Sequence, residues 1–266
     1  MRRGLFALTL LLVLAPASWG NLSVVGGLSY EKTAGPGESY VGTIELRNDS
    51  GSACDVRVYQ TDYSFQATGE TFYLEPGTST RSNARWMAVS PQWITVPGHG
   101  KASIHYTVEV PDDSVLAGSY WSLIMIEPTE LTTQTVNADQ GRGHMGVKTL
   151  LRYGIQIVTD VGADGTREVT FQDSKLIERG DLRVLEIDVE NSGNAWMSPF
   201  FSVELYDDDG THRHHFESQR QRIYPGCSVR HSIDLTEVPC GSYKVLAVVY
   251  NRDESVFGAQ YDLWIE

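Results

Sequence analysis

His212 and His214 stand two residues apart in "YDDDGTHRHHF", the segment from Tyr206 to Phe216. On a strand such residues share a face, and two imidazoles placed so can share a metal ion, zinc before calcium. Asp207, Asp208 and Asp209 could add oxygen ligands. However, Asp-Gly between two strand-like runs is also the strongest short hairpin signal, so the segment reads as a polar hairpin with no metal. Catalytic spacings are missing elsewhere. The chain contains no Gly-x-Ser-x-Gly, no His-Glu-x-x-His and no phosphate-cradling glycine loop. Carboxylates are abundant, but paired-acid chemistry needs a deep cleft, and small β-sandwiches offer edges and loop tips instead. Trp86, Trp93 and Trp121 adjoin strand-like phrases and read as core rather than as a sugar platform. The expectation is a protein without catalytic activity or cofactor.

The elements that would position any site are strands. Ile44/Leu46, Val56/Val58 and Ile104/Tyr106/Val108/Val110 put apolar side chains on alternate positions. Leu185/Ile187/Val189 and Val229/His231/Ile233/Leu235 continue the pattern. A period of two means one buried and one wetted face, as in antiparallel sheets packed on each other. Corners such as "NDSG", "VPGHG", "DDDG" and "YPGC" supply turn chemistry between short strands. No stretch offers a capped helical period.

The pattern is written twice. "GTIELRNDSG" from Gly42 returns as "LEIDVENSGN" from Leu185, an offset of 143. "VPGHGKASIHYTVEV" from Val96 is matched by "YPGCSVRHSIDLTEV" from Tyr224, and "AGSYWSLIMI" from Ala117 by "CGSYKVLAVV" from Cys240, with offsets of 128 and 123. Three collinear matches imply one module in two copies, hence an all-β chain of two tandem immunoglobulin-like β-sandwiches. The polar stretch from Thr129 to Gly146 lies between two strand phrases and reads as a long hairpin loop inside the first copy. The linker falls in "TDVGADGTR", giving domains at 21–159 and 160–266.

Residues 1–20, "MRRGLFALTLLLVLAPASWG", have two arginines, a short apolar run and small residues, the layout of a cleaved signal peptide. No cysteine follows the run to accept a lipid, and no wall-sorting motif occurs, so the expected location is the bacterial periplasm or free secretion. No later stretch has the ~18 apolar residues of a membrane helix, so no membrane insertion is expected after cleavage. The formal charge of −13 becomes −15 once Arg2 and Arg3 are removed, which disfavours nucleic acid as a partner. Of the cysteines, Cys54 reads as a small buried hydrophobe. Cys227 and Cys240 lie at opposite ends of one strand, roughly 25 Å apart and beyond disulfide reach.

"GPGESYVGTIELRNDS", "RWMAVSPQWITVPGHGKASIHYTVEVP", "GSYWSLIMIEP" and "LLRYGIQIV" together resemble bacterial exported proteins with two immunoglobulin-like domains. Two such families are the periplasmic pilus-assembly chaperones and the surface partners of WxL-type wall proteins. The chaperone resemblance implies that the last strand of the first domain lends alternate side chains to another exported protein, such as a fimbrial or surface subunit. Val147, Leu151, Tyr153, Ile155 and Ile157 occupy that face, interrupted by Thr149. The same alternation would suit a strand buried in its own domain. The resemblance further implies a pair of cations gripping a partner's terminal carboxylate. Arg152 takes one place, and Lys32 stands where the family has an arginine. The alternative to strand addition is a surface or cell-wall-associated module that binds through its loops.

Overall fold

The computed structural model describes residues 22–129, 132–135, 146–149, 151–162, 165–251 and 255–265. The predicted signal peptide and most of the predicted 129–146 loop lie outside them. In chain order the first strands are β1 (Leu22–Val25), β2 (Ser29–Ala34), β3 (Ser39–Asn48), β4 (Cys54–Phe65) and β5 (Thr71–Leu74). Next come β6 (Met87–Ser90), β7 (Trp93–Val96), β8 (Lys101–Glu109), β9 (Gly118–Pro128), β10 (Thr132–Thr135), β11 (Gly146–Thr149) and β12 (Tyr153–Val161). The rest are β13 (Val169–Arg179), β14 (Leu182–Asn191), β15 (Phe200–Tyr206), β16 (His212–Ser218), β17 (Ser228–Asp234), β18 (Gly241–Tyr250) and β19 (Val256–Ile265).

These strands make two tandem immunoglobulin-like sandwiches. In the first, a sheet ordered β1-β3-β8-β6 faces one ordered β2-β12-β9-β4-β5, with β7 also on β4. The opening segment serves both sheets: β1 pairs β3 antiparallel, and β2 pairs β12 in parallel. The second sandwich faces β13-β14-β17 against β16-β15-β18-β19. Strands β10 and β11 form a separate hairpin pair beyond β9 and β12.

The alternating residues fill the cores as their period requires. Ile44, Leu46, Ile104, Val56, Val58, Ile124, Ile126, Ile155 and Ile157 form the first core, and Leu185, Ile187, Val189, Ile233 and Leu235 belong to the second. β9 is different. It is buried on both faces from Gly118 to Ile126 because its outward Trp121 is covered by the second sandwich. Its unbroken run "SLIMI" is the mark of a doubly covered strand.

The repeated phrase has a structural reason. Asn48 and Asn191 are both fully buried at the ends of β3 and β14. The Asn48 amide nitrogen donates to the Ser52 carbonyl at 2.8 Å and the Val96 carbonyl at 3.1 Å, and its oxygen accepts from the Ser50 amide. The Asn191 amide repeats this on Ala195 and Ile223 at 2.8 and 3.0 Å, with Gly193 as donor. Each asparagine satisfies backbone groups that a sandwich corner would otherwise bury unpaired. The device also corrects one alignment. It relates Val96 to Ile223, an offset of 127 rather than 128, because each phrase carries a Pro-Gly displaced by one residue.

Two burial expectations fail. Trp93 is 62% exposed, because Ile94 and Val96 take the inward phase of β7 and turn the indole to solvent. Cys54, at the start of β4, is only half-buried. No disulfide joins the three cysteines; Cys227 is buried and Cys240 exposed.

Candidate partner-binding site

β12 carries three of the residues expected to meet a partner, Tyr153, Ile155 and Ile157, and Leu151 and Arg152 lead into it. Along Tyr153–Val161 it pairs β9, but β2 covers its other side only from Gln156 onward. The Gln156 amide donates to the Leu28 carbonyl at 2.8 Å, where this second pairing begins. Backbone groups alternate sides along a strand, so the amides of Gly154 and Arg152 point to the same side as Gln156. Among the described residues no strand pairs with them there. The stretch Leu151–Ile155 therefore has one open edge, bounded by the Tyr153 hydroxyl, which donates to the Leu22 carbonyl at 2.7 Å across the mouth of the sandwich.

The seven predicted residues separate in this geometry. Ile155 and Ile157 are fully buried in their own core, so they serve the alternative function of holding the first sandwich together. Tyr153 is half-buried, and Leu151 is 50% exposed. Val147 lies on β11 opposite Gln134. Arg152 is exposed, within hydrogen-bonding reach of the Tyr59 hydroxyl. Lys32 is exposed on β2, in register with Thr159. That position lies seven residue steps from Arg152, about 23 Å along an extended chain, so the two cations cannot grip one carboxylate. The parallel register of β2 on β12 is the physical reason, and it is non-local.

A different cation occupies the cleft between the sandwiches. Arg222, just before the Tyr224 corner, donates from Nη1 to the Ser29 hydroxyl at 2.6 Å and pairs through Nη2 with Glu31. Its guanidinium lies 4.3 Å from the Trp196 ring centroid. Beside it the Tyr224 hydroxyl donates to Gln156 at 2.7 Å, and the Tyr224 ring stacks on Trp121 at 4.5 Å and 10°. Burial pushes the Tyr224 hydroxyl up to about 12, so it remains a donor. A cavity of about 540 Å³ opens next to this cluster, bordered by Tyr63, Phe65, Gln156, Arg222 and Arg230. Both arginines are already neutralised, Arg222 by Glu31 and Arg230 by a two-pronged contact with Asp188 at 2.7 Å. The cleft is thus an internal lock between the sandwiches. Gly118 completes it: at φ +82° it lets the Asn194 carbonyl approach where a Cβ would stand 2.1 Å away.

The histidine cluster forms the predicted hairpin between β15 and β16. Asp207 organises its turn, accepting from the amides of Thr211 and Asp209 at 2.8 and 3.1 Å. His212 meets Tyr206 edge-on and His214 stacks on Phe216. Among the described residues no group of three His, Cys, Asp or Glu side chains is placed to hold a metal.

No family model and no curated protein matches the chain. Solved structures of similar outline include a chaperone–tip adhesin complex of CFA/I fimbriae biogenesis, 13% identical, covering 93% of this chain and 100% of that one with a TM-score of 0.46. Another is the class 5 fimbriae chaperone CfaA, 13% identical, with 91% and 98% coverage and a TM-score of 0.45. A third is the CupB2 chaperone of Pseudomonas aeruginosa, 12% identical, with 90% and 98% coverage and a TM-score of 0.42. Identities and scores this low say nothing of what the chain binds.

Proposed function

We propose that this is a non-enzymatic, exported protein-binding module, chaperone-like in action, that takes up a segment of another exported protein by strand addition at the open edge of β12. The observation that carries this reading is the incomplete cover of β12, which β2 leaves bare before Gln156. An added strand would pair backbone groups now left to water, and alternate side chains would give selectivity. Leu151 and Tyr153 are the apolar side chains available there, and Val147 would extend the row. Arg152 contributes through its backbone amide on that edge. Lys32 is too far along the strand to share a ligand with it. Ile155 and Ile157 act as the packed support beneath.

The test separates backbone from side chain. Arg152→Pro removes the amide on the open edge, and Arg152→Ala removes the guanidinium but keeps the amide. Both variants and the wild type are used to capture partners from the exported fraction of the protein's own cells. Strand addition predicts that Arg152→Ala retains the captured partner and Arg152→Pro loses it. Equal capture by all three would overturn the reading.

A further inference from the structure

The far side of β4 from β9 has a gap. β7 pairs its start, Cys54–Arg57, and β5 pairs its end, Asp62–Phe65, leaving Val58–Thr61 without a strand neighbour on that side among the described residues. The chain passes from β6 in one sheet to β7 in the other at this point, and that crossing opens the gap. The result is a notch of about 340 Å³ bordered by Arg57, Tyr59, Gln60, Pro76, Gln92 and Trp93.

Three features give the notch a chemistry. The Trp93 indole, 62% exposed, offers an uncovered aromatic face at the rim. The Arg57 guanidinium lies 4.8 Å from the Tyr59 ring centroid and has no carboxylate partner among the described residues. Two acids beside it in the strand register are engaged elsewhere. Glu127, opposite Arg57 on β9, accepts from the Tyr59 hydroxyl at 2.9 Å, and Asp55 accepts from the Thr95 hydroxyl at 2.5 Å. Arg152 adds a second cation beyond Tyr59. Gln92, Gln60 and Tyr59 add polar groups to a lining that Val58, Pro76 and Val89 make partly apolar.

We infer that this notch binds an acidic sugar residue, with one face of the sugar ring against Trp93 and its carboxylate on Arg57. A guanidinium grips a planar carboxylate through two parallel hydrogen bonds, and an aromatic face receives the C–H surface of a pyranose. Gln92 is the lining side chain that can meet the hydroxyl groups of the sugar, since the Gln60 amide donates to the Ala84 and Met87 carbonyls and the Tyr59 hydroxyl to Glu127. The site is separate from the open edge of β12 and does not depend on it.

Nuclear magnetic resonance of the Trp93 indole N–H tests the assignment, using trigalacturonate, neutral maltotriose and phenylacetate as probes on the mature chain. The expected result is a saturable shift with trigalacturonate, at least tenfold weaker with maltotriose and with phenylacetate. Arg57→Gln should weaken trigalacturonate binding about tenfold, and Trp93→Ala should abolish it when followed calorimetrically. Both side chains are exposed, so both variants should melt with the wild type. No shift with trigalacturonate, an equal response to maltotriose or phenylacetate, or full binding by Trp93→Ala would each overturn the proposal.

Discussion

β12 and β19 close their respective sandwiches in the same way, yet their free edges differ. β12 is covered by β2 from Gln156 to Val161 and bare over Tyr153–Ile155. Among the described residues β19 pairs with β18 alone, which leaves its outer edge without a strand. Openness alone therefore does not mark a docking strand. The exposed face of β19 mixes Gln260 and Asp262, the latter ion-paired with Lys244, with the apolar Val256 and Trp264; a charge at such a position blunts an edge against pairing. The bare part of β12 carries Tyr153, Gly154 and Ile155. Neither edge length nor an exposed apolar side chain alone marks a receptive strand; β12 stands out because β2 covers its edge only in part.

The largest contrast should come from a charge placed on each of the two strands, at a buried position on β12 and an exposed one on β19. Ile155→Asp buries a carboxylate in the first core and should cost on the order of 5 kcal/mol, unfolding the first sandwich. Gln260→Asp on β19 should stay within about 0.5 kcal/mol, as surface changes do. Chemical denaturation of both variants checks this. An Ile155→Asp protein that keeps wild-type stability would mean that the strand is not core.

A second difference lies inside the cores. Ile104 pairs Ile44 in the first sandwich, and His231 pairs the equivalent Ile187 in the second. His231 is buried, stacks on Phe201 at 4.0 Å, and holds Ser218 through Nδ1 at 2.8 Å, while its buried Nε2 has no partner. Burial lowers its pKa from 6.5 to about 4. The neutral ring is favoured in the fold, so the full contribution is present above pH 6.5 and is lost as pH falls towards 4. The loss should reach roughly 3 kcal/mol, confined to the second sandwich and flattened in His231→Phe. Calorimetry between pH 7 and 4 would show it. An unchanged pH slope in that variant would assign the acid sensitivity elsewhere.

Where the two sandwiches agree, the effects should agree. Asn48→Ala and Asn191→Ala each strand two buried carbonyls and should each cost about 2–3 kcal/mol. Thermal unfolding of the pair checks the equivalence, and a large asymmetry would break it. Tyr153→Phe should cost less, about 1 kcal/mol from the one hydroxyl bond to Leu22.

Much of this fold was legible. The period of two placed Ile44, Ile104 and Ile187 inside, and the doubled phrase around Asn48 and Asn191 announced two copies. The phase of Trp93 was legible too, since Ile94 and Val96 demand the opposite face, but its nearness to strand phrases suggested core. The pairing of Lys32 opposite Thr159 was not legible, because a parallel register between distant segments leaves no local mark. Nor was Arg222, which lies in a connection without periodicity and takes its role from residues almost two hundred positions away.

The most direct test of the central claim is amide hydrogen exchange on the isolated protein and on its complex with a captured partner. Strand addition at β12 predicts that Arg152 and Gly154 slow markedly in the complex, while Gln260 and Asp262 on β19 keep their rates. Tyr153, Ile155 and Ile157 face β9 through their backbones and should already be slow before binding. Protection that appears on β19 or only in the loops, with Arg152 and Gly154 unchanged, would contradict strand addition at β12.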